Sequence, residues 1–546
     1  MPETNTRAPM KGAEIDAIVV GAGFGGMYML HKLRELGVSV QGFEAGTDVG
    51  GTWYWNRYPG ARCDIPSLAY SYTWSEALRD DWRWTEKYAA QPEILSYASH
   101  VADRFELRPM IAFETRVLSA HFDEAADRWT VLTDRGDEVS ARWLIMATGC
   151  LSTPRAPDIP GVGSFAGATY HTGAWPREGA DFTGQRVAVI GTGSSGIQSI
   201  PQIAAQAERL TVFQRTPNFS IPARNTALTD ADIAAFQAAY PAYLAMVKGP
   251  GLGFGGASTE VPLPDDEDQR RRYEELWAIG GAGFLSAWGN LLTSLEVNDR
   301  AAGFVRDKIA GVVSDPETAR HLQPRDHPIG TKRICVDIDY YETYNRPNVE
   351  LVNLRETPIE AIEPHAVRTS AATYAVDAIV FATGFDAMTG ALLAIDIQGA
   401  DGLEFRQAWA EGPKAYLGLA VAGFPNLFVI TGPGSPSVLS NMINSIEHHV
   451  EWIAGCVAHM REHGFTRIAA DAGTQEDWVA HVRAVADQTL FPRAASWYMG
   501  ANIPGKPRVF MPYIGAGYRQ KCADVAAAGY EGFELSGTQA AAQAAE

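Results

Sequence analysis

Two glycine-rich segments of this sequence could each hold the pyrophosphate of a dinucleotide. Each has the spacing Gly-x-Gly-x-x-Gly, follows a short apolar run that predicts a strand, and precedes a helical pattern. Glycine allows a tight turn and a close approach of the backbone to phosphate, which faces the helix N-terminus. One such segment is a weak signal, but two predict two nucleotide sites. The residues concerned are Gly21, Gly23 and Gly26 in the first segment and Gly191, Gly193, Ser194, Ser195 and Gly196 in the second.

The residue that follows the next apolar run distinguishes the two sites. In the first unit it is Glu44, whose carboxylate can accept hydrogen bonds from ribose hydroxyls and would repel a 2′-phosphate. In the second unit Arg215 and Thr216 stand there, and arginine suits a 2′-phosphate because it stays charged and can donate two hydrogen bonds at once. We therefore expect FAD or NAD at the first site and NADPH at the second. Arg215 by itself could also be an ordinary surface arginine.

These sites require two α/β units, and the sequence pattern divides the chain accordingly. An apolar run ending in Ala-Thr-Gly follows each glycine segment, at 147–149 and at 382–384. Between about 224 and 328 the strand pattern fades, and Thr229 to Asp232 has the pattern of a helix N-terminal cap. We predict an α/β fold with two Rossmann-like dinucleotide-binding domains and an α-helical insertion. The predicted ranges are 1–150 and 385–546 for FAD, 151–223 and 329–384 for NADPH, and 224–328 for the insertion.

The composition argues against several classes of protein. The chain has 546 residues, of which 46% are hydrophobic, enough for two or three domains with large cores. A net charge of −19 argues against nucleic acid or an anionic membrane as a partner. The five cysteines include no Cys-x-x-Cys pair, so a disulfide framework, a metal site or a dithiol centre is not expected. The polar start predicts no signal peptide, and the lack of a long apolar stretch predicts no membrane-spanning helix. Together with the scattered thiols this predicts a cytoplasmic protein, and we expect a monomer or weak oligomer.

Two longer motifs lie outside the glycine segments. One reads Gly-x-Trp-x4-Tyr-Pro-Gly-x3-Asp and runs from Gly51 to Asp64. The other reads Phe-x-Gly-x-x-x-His-x-x-x-Trp-Pro, and its fixed positions begin with Phe165, Gly167, His171 and Trp175. Both motifs are signatures of the type I Baeyer–Villiger monooxygenases. The chain resembles this family from about residue 14 to 535, and its phenylacetone-oxidising members more than its cyclohexanone-oxidising ones.

The resemblance implies FAD and NADPH as cofactors, O2 as co-substrate, and the conversion of ketones into esters or lactones. It implies that Arg333 is the catalytic arginine and Asp64 its carboxylate partner. Activated oxygen must be deprotonated to attack a carbonyl, and arginine favours that anion because it does not release its own proton. The carboxylate would orient the guanidinium and offset its buried charge. Arg333 could otherwise be a surface arginine, and Asp64 a turn residue.

The resemblance assigns further residues to the cofactors, to domain motion and to the substrate. It implies that Lys332 joins Arg215 and Thr216 at the 2′-phosphate, and that Trp497 covers the nicotinamide nucleotide. For His171 and its motif it implies a conformational role where the two domains meet, not proton transfer. The aromatic residues expected around the flavin, one or two of which could be plain core, are Trp53, Trp55 and Tyr72. The candidates for the substrate pocket are Ser437, Val438, Leu439 and Met442, and we expect aryl or bulky ketones; Leu439 and Met442 could instead be core.

Three other functions remain alternatives. A flavin-dependent N- or S-monooxygenase is the nearest, although the complete His171 motif and Arg333 argue against it; sulfoxidation is expected as a side activity. A pyridine-nucleotide disulfide reductase also has two dinucleotide sites, but it needs a redox cysteine pair near the flavin, and the cysteines here are scattered. A non-catalytic flavin-binding redox sensor would not need Arg333 and Asp64.

Overall fold

The computed structural model describes residues 7–155, 157–249 and 265–537. Parts of the predicted domain ranges lie outside the described residues, as does the beginning of the polar N-terminal segment. The strands are β1 Lys11–Val20, β2 Val40–Phe43, β3 Ile111–Ala112, β4 Val117–Asp123, β5 Arg128–Thr133, β6 Glu138–Met146, β7 Ala168–His171, β8 Arg186–Ile190, β9 Arg209–Gln214, β10 Ser220–Pro222, β11 Cys335–Asp337, β12 Val349–Asn353, β13 Ile359–Glu363, β14 Ala366–Thr369, β15 Thr373–Ala375, β16 Ala378–Phe381, β17 Asp396–Gln398, β18 Leu427–Val429, β19 Arg467–Ala470 and β20 Phe533–Ser536.

Helices connect these strands and cover the sheets. They are α1 Phe24–Glu35, α2 Thr52–Trp55, α3 Glu76–Asp81, α4 Gln91–Arg104, α5 Ser194–Gln206, α6 Asp230–Lys248, α7 Asp266–Ile279, α8 Leu295–Val312, α9 Pro316–Leu322, α10 Tyr340–Thr343, α11 Gly390–Leu393, α12 Phe405–Ala408, α13 Met442–His463, α14 Ala472–Asp487 and α15 Tyr518–Ala527.

The first sheet contains the first glycine turn. Its strand order is β17-β4-β5-β6-β1-β2-β3, and β18 also pairs with β6. Strand β1 runs parallel to both β2 and β6, so the carboxyl ends of these three strands meet at one edge. Helices α1 and α13 pack on one face, where Met27 and Ile453 are fully buried. The chain after residue 390 therefore returns to the sheet that its N-terminal part begins.

The second sheet is entirely parallel, in the order β12-β9-β8-β16-β7. Its three central strands, β8, β9 and β16, are short and almost fully buried, as expected of a sheet covered on both faces. The second glycine turn follows β8, Arg215 follows β9, and the second Ala-Thr-Gly follows β16. Three chemically distinct segments therefore lie along one edge of this sheet.

A group of helices, α6 to α9, follows β10. As predicted, Thr229 caps α6: its hydroxyl accepts from the N–H of Asp232, whose carboxylate accepts from the N–H of Thr229. Aromatic side chains of α7 and α8, such as Tyr273 and Phe304, share one core with the second sheet. The first sheet is mixed, with β1, β2 and β6 parallel and β4 and β5 antiparallel, whereas the second is all-parallel. Helices pack on both sheets, which confirms the predicted α/β fold. Among the described residues, no helix is both long and apolar enough to cross a membrane.

Candidate functional site

The first glycine turn lies between β1 and α1 and is too tight for side chains. Gly21 has a φ of +103°, and a Cβ there would lie 2.5 Å from the carbonyl oxygen of Ala147. A Cβ on Gly26 would collide with the carbonyl oxygen of Gly21. Gly23 is the N-cap of α1, and a Cβ there would lie 3.3 Å from the Cα of Gly51. Glycine backbone therefore surrounds the free N–H groups at the start of α1.

Glu44 lies beside this turn at the end of β2. It is only 6% exposed, and its carboxylate oxygens accept hydrogen bonds from the N–H groups of Ala22 (2.8 Å) and Gly46 (2.7 Å). Burial raises the pKa of Glu44, and these N–H groups counter part of the shift. The carboxylate is thus held in one position, and its remaining lone pairs can accept hydrogen bonds from a ribose.

The second glycine turn, between β8 and α5, repeats this geometry with one difference. Gly191 has a φ of +113°, and a Cβ there would collide with the carbonyl oxygen of Ala382. A Cβ on Gly196 would likewise collide with the carbonyl oxygen of Gly191. In contrast, a Cβ on Gly193, the N-cap of α5, would meet no atom within 4 Å. The space in front of α5 is therefore open.

The two serines of this turn use their hydroxyl groups within the protein. Ser194 Oγ lies 3.3 Å from Cys335 Sγ, and Ser195 Oγ lies 3.0 Å from Thr172 Oγ1. These contacts attach the start of α5 to β11 and to the loop after β7. What the serines can offer a phosphate without rearrangement is their backbone N–H groups at the helix N-terminus.

The predicted phosphate ligands converge at the edge of the second sheet. Arg215 is exposed, and in the described part of the chain it has no carboxylate partner. The carbonyl of Thr216 accepts a hydrogen bond from Thr192 Oγ1 at 3.1 Å, which keeps this segment beside the glycine turn. Burial lowers the pKa of Lys332, and the charge of Arg215 lowers it further because the two cations are close. This arrangement suits a dianion.

Arg333 and Asp64, which are 269 residues apart in sequence, form a bidentate ion pair. Arg333 Nη2 donates to Asp64 Oδ1 at 2.6 Å, and Nε donates to Oδ2 at 2.8 Å. Their side chains are 24% and 22% exposed, so the pair is partly open to its surroundings. Burial would lower the pKa of Arg333, but Asp64 raises it above its ordinary value, and the guanidinium stays charged.

The motif that ends in Asp64 connects the two nucleotide units. Gly51, at its start, packs against Gly23 of the first glycine turn. A Cβ on Gly60 would collide with the carbonyl oxygen of Gln198 in α5, and Tyr58 donates from its hydroxyl to Gln198 Oε1 at 2.8 Å. The motif therefore requires glycine where it approaches each unit, and it positions its carboxylate between them.

Arg333 has further contacts that the sequence did not predict. Its Nη1 donates to the carbonyl oxygen of Val438 at 2.7 Å. Tyr498 also lies against the guanidinium: burial raises the pKa of Tyr498 to about 12, and the positive charge of Arg333 offsets part of that rise. Trp497 is half-buried and packs on Tyr498, with 4.2 Å between ring centroids. The only sequence signal for Tyr498 is that it directly follows Trp497.

The predicted substrate residues lie around one apolar cluster beside Arg333. Val438 is buried in it, whereas Leu439 and Met442 are half-buried at its margin. Ser437 is fully buried and donates from its hydroxyl to the carbonyl of Thr431 at 3.1 Å, so it supports the loop rather than facing a cavity. The cluster includes Cys150, Leu151, Met388, Val438, Leu439, Met442, Phe491, Trp497, Tyr498 and Met511.

The three aromatic residues predicted near the flavin occupy different environments. Trp53 is buried and donates from Nε1 to the hydroxyl of Tyr70 at 3.1 Å. Tyr72 is fully buried, and its hydroxyl donates to the carbonyl of Phe24 at 2.5 Å, at the start of α1. Trp55 is 36% exposed and lies close enough to Glu44 to lower the pKa of that acid. Tyr72 thus supports the start of α1, whereas Trp55 lies beside Glu44 at the first nucleotide site.

His171 ends β7 and connects two loops. Its Nδ1 accepts a hydrogen bond from the N–H of Gly173 at 2.9 Å, so its Nε2 carries the proton. Nε2 lies 3.2 Å from the carbonyl oxygen of Arg155 and 3.1 Å from Thr383 Oγ1. Burial lowers the pKa of His171, which keeps the ring neutral. The other motif residues make packing contacts: a Cβ on Gly167 would collide with the carbonyl of Asp377 and with the ring of Phe165, and Trp175 stacks on Tyr170.

The two sites fit the two expected cofactors. The first combines a glycine-lined helix start with a fixed, buried carboxylate, which suits the pyrophosphate and ribose of FAD. The second combines an open helix start with exposed and half-buried cations, which suits a nucleotide with an additional phosphate, such as NADPH. When bound, FAD would supply the two-electron reduction of O2; Arg333, Asp64 and the apolar cluster are the candidate residues of this chain for the reaction with the ketone.

Known proteins resemble this chain over almost its full length. A Baeyer–Villiger monooxygenase of Pseudooceanicola batsensis is 42% identical over 528 residues, covering 95% of this chain and 96% of that protein. The structure of an oxidised steroid monooxygenase bound to NADP is 50% identical, with a TM-score of 0.91, and covers 96% of this chain and 99% of its own. The structure of OTEMO in complex with FAD and NADP is 40% identical, with a TM-score of 0.92 and coverage of 96% and 99%.

A family model described as pyridine nucleotide-disulphide oxidoreductase matches residues 18–229. That range holds both glycine turns but less than half of the chain. All five cysteines are free and buried, and burial raises the pKa of Cys63, which lies next to Asp64. A protonated thiol is a poor nucleophile, so dithiol exchange is not supported here. The full-length relatives decide the matter: this chain belongs to the Baeyer–Villiger monooxygenase family, whose members use FAD, NADPH and O2 to convert ketones into esters or lactones.

Proposed function

We propose that this monooxygenase acts on aryl or otherwise bulky ketones and that Arg333 is its catalytic cation, oriented by Asp64. The observation that carries the proposal is the bidentate Arg333–Asp64 pair, which lies between the two nucleotide units and against the apolar cluster. In the overall reaction, one oxygen atom of O2 enters the ketone and the other leaves as water, with two electrons from NADPH.

The role of Arg333 follows from its charge and its fixed geometry. Attack on a carbonyl requires oxygen in its anionic form, and a neighbouring guanidinium favours that form by charge-assisted hydrogen bonding. Because Asp64 raises the pKa of Arg333, the arginine holds its protons and does not neutralise the anion. Asp64 and the carbonyl of Val438 use three of its N–H groups, so part of the donor capacity remains for oxygen.

The proposed substrate class rests on the apolar cluster. Val438, Leu439 and Met442 belong to it together with Trp497, and its other members are aliphatic, aromatic or sulfur-containing side chains. Such a surface binds an aromatic or extended hydrocarbon body and leaves the carbonyl to be oriented by Arg333. The likeness to a steroid monooxygenase at 50% identity is in accord with a bulky ketone.

We further propose the domain division 1–150 with 385–546, 151–223 with 329–384, and 224–328, because the two sheets divide the described chain in that way. His171 then serves as a conformational element, since it ties the segment around Arg155 to Thr383 without a titrating role. The buried, free thiols are in accord with a reducing cytoplasm, and we propose a monomer or weak oligomer.

The proposal is tested with a ketone panel supplied with NADPH and O2 and followed by product analysis. Phenyl-substituted and polycyclic ketones should give esters or lactones with a higher kcat/KM than acetone or cyclopentanone. Val438→Ala should shift this preference further toward large ketones, because it removes two methyl groups from the cluster. If small ketones are preferred, or if thioethers and amines are the only compounds oxidised, the substrate assignment is wrong.

A further inference from the structure

Two parallel strands of the second sheet place an additional arginine beside the proposed phosphate ligands. Strands β9 and β12 are neighbours, with Gln214 opposite Asn353 at their carboxyl ends. The N–H of Leu354 donates to the carbonyl of Gln214 at 2.8 Å, so the pairing continues past the strands. The residues that follow each strand therefore lie side by side, which brings Arg355 next to Thr216.

Arg355 contacts both Thr216, a proposed phosphate-binding residue, and the carboxylate of Asp326. Its Nη2 donates to Thr216 Oγ1 at 3.4 Å and also forms an ion pair with Asp326. His327 Nδ1 lies 2.7 Å from Asp326 Oδ1, and the His327 side chain is only 1% exposed, so the acid is held from the protein side. The Arg355 side chain is 48% exposed and can turn toward a ligand.

The surrounding charges support a phosphate at this place. After burial, which has the largest effect, the charges of Arg215 and Arg355 both lower the pKa of Lys332. Lys332 is thus close enough to both arginines to be repelled by them, and Asp326 is the acid that offsets this repulsion at Lys332. A cluster of like charges is costly in the folded protein unless an anion reduces the repulsion. One carboxylate for three cations leaves an excess of positive charge.

We propose that Arg355 is a further specificity-determining residue of this enzyme: it binds the 2′-phosphate of NADPH together with Arg215 and Lys332, and exchanges Asp326 for the phosphate. The inference rests on the proposed role of Arg215 and Lys332 at the second site. A phosphate monoester carries up to two negative charges near neutral pH and accepts bidentate hydrogen bonds from guanidinium groups. Asp326 competes for Arg355 and repels the dianion, so it weakens binding.

The test measures the contribution of the 2′-phosphate directly. Isothermal titration of the FAD-loaded protein with 2′,5′-ADP and with 5′-AMP gives two dissociation constants. The Kd for 5′-AMP divided by the Kd for 2′,5′-ADP measures how much the 2′-phosphate strengthens binding. Arg355→Ala should reduce this ratio roughly three- to tenfold, between the effect of an exposed ion pair and that of a fully formed charged hydrogen bond. Asp326→Asn, which keeps a hydrogen-bond acceptor but removes the charge, should increase it.

Arg209→Ala is the matched control, because Arg209 begins β9 and pairs with Glu350 of β12 at the opposite end of the same strands. This variant should leave the ratio unchanged. Arg215→Ala distinguishes an error about Arg355 from an error about the whole phosphate site. If it lowers the ratio and Arg355→Ala does not, the role of Arg355 is refuted while the site stands. If neither changes the ratio, the site itself is wrong. Equal weakening of both ligands by Arg355→Ala would also overturn the inference.

Discussion

The two nucleotide sites share a backbone and differ in how they select a ligand. Both use a strand, a glycine turn and a helix, and in both turns a Cβ on the first or the last glycine would collide with a backbone carbonyl oxygen. At the first site the proposed selecting group is Glu44, which is buried and held by two backbone N–H groups. At the second site we propose that a set of cations around the exposed Arg215 selects the ligand. A buried, backbone-held group suits a permanently bound cofactor, whereas exposed charges suit a nucleotide that binds and is released in each catalytic cycle.

Substitution of Arg333, which lies between the two sites, should have the largest effect on activity. Arg333→Ala should abolish ester formation, a loss of at least ~100- to 1,000-fold, because the oxygen anion loses its fixed cation. Anaerobic flavin reduction by NADPH should persist, since it needs both nucleotide sites but no oxygen anion. Stopped-flow absorbance of the reduction, together with ester yield and hydrogen peroxide release, measures both.

An exposed arginine of α8, Arg300, provides the control, and Arg300→Ala should behave as wild type. A variant Arg333→Ala enzyme that still forms ester at close to the wild-type rate would show that the catalytic cation lies elsewhere.

The buried selecting group of the first site should have the next largest effect. Glu44→Ala leaves the N–H groups of Ala22 and Gly46 without their acceptor, at about 1–3 kcal/mol each, and removes the ribose acceptor. FAD affinity should fall roughly 30- to 1,000-fold, measured by titration of the apoprotein with FAD. NADP+ affinity should not change. Glu35→Ala, an exposed acid of α1, is the control; if FAD is retained equally in both variants, Glu44 does not select the first ligand.

The second site has several cations, so the removal of one should weaken nucleotide binding less than Glu44→Ala weakens FAD binding. Arg215→Ala should raise the KM for NADPH roughly ten- to 100-fold, as expected for one charge-assisted contact with phosphate. The KM for NADH should change much less, because NADH lacks the 2′-phosphate. Steady-state kinetics with both nucleotides tests this. Equal changes for NADPH and NADH would show that Arg215 does not contact the phosphate.

The smallest effect is expected where the Trp497 segment meets the edge of the second sheet. Lys506 Nζ lies 2.6 Å from Asp386 Oδ1 and donates to the carbonyl of Ala387 at 2.8 Å. Lys506→Ala should weaken NADP+ binding roughly two- to fivefold, the value of a partly exposed ion pair, with FAD retention unchanged. Asp386→Asn should act in the same direction. Loss of FAD in either variant would connect this segment to the first site instead.

The sequence by itself determined the local features of this enzyme. Turn geometry, helix starts and the chemical type of a selecting residue depend on a few consecutive positions, so Gly21, Gly191, Glu44, Arg215 and the Thr229 cap could be predicted from spacing alone. The resemblance of two motifs to a family added Asp64 and Arg333, which no local pattern pairs. Residue type was enough at these positions because their chemistry allows few substitutes.

Only the tertiary structure decided which distant residues meet. Asp64 reaches Arg333 because Gly51 and Gly60 pack against the two nucleotide units in turn. Tyr498 lies against Arg333, and Arg355 lies beside Thr216, because of loop packing and the parallel register of β9 and β12. Strand order and register are set by contacts across the whole core, and those contacts leave no signature near the residues that they bring together.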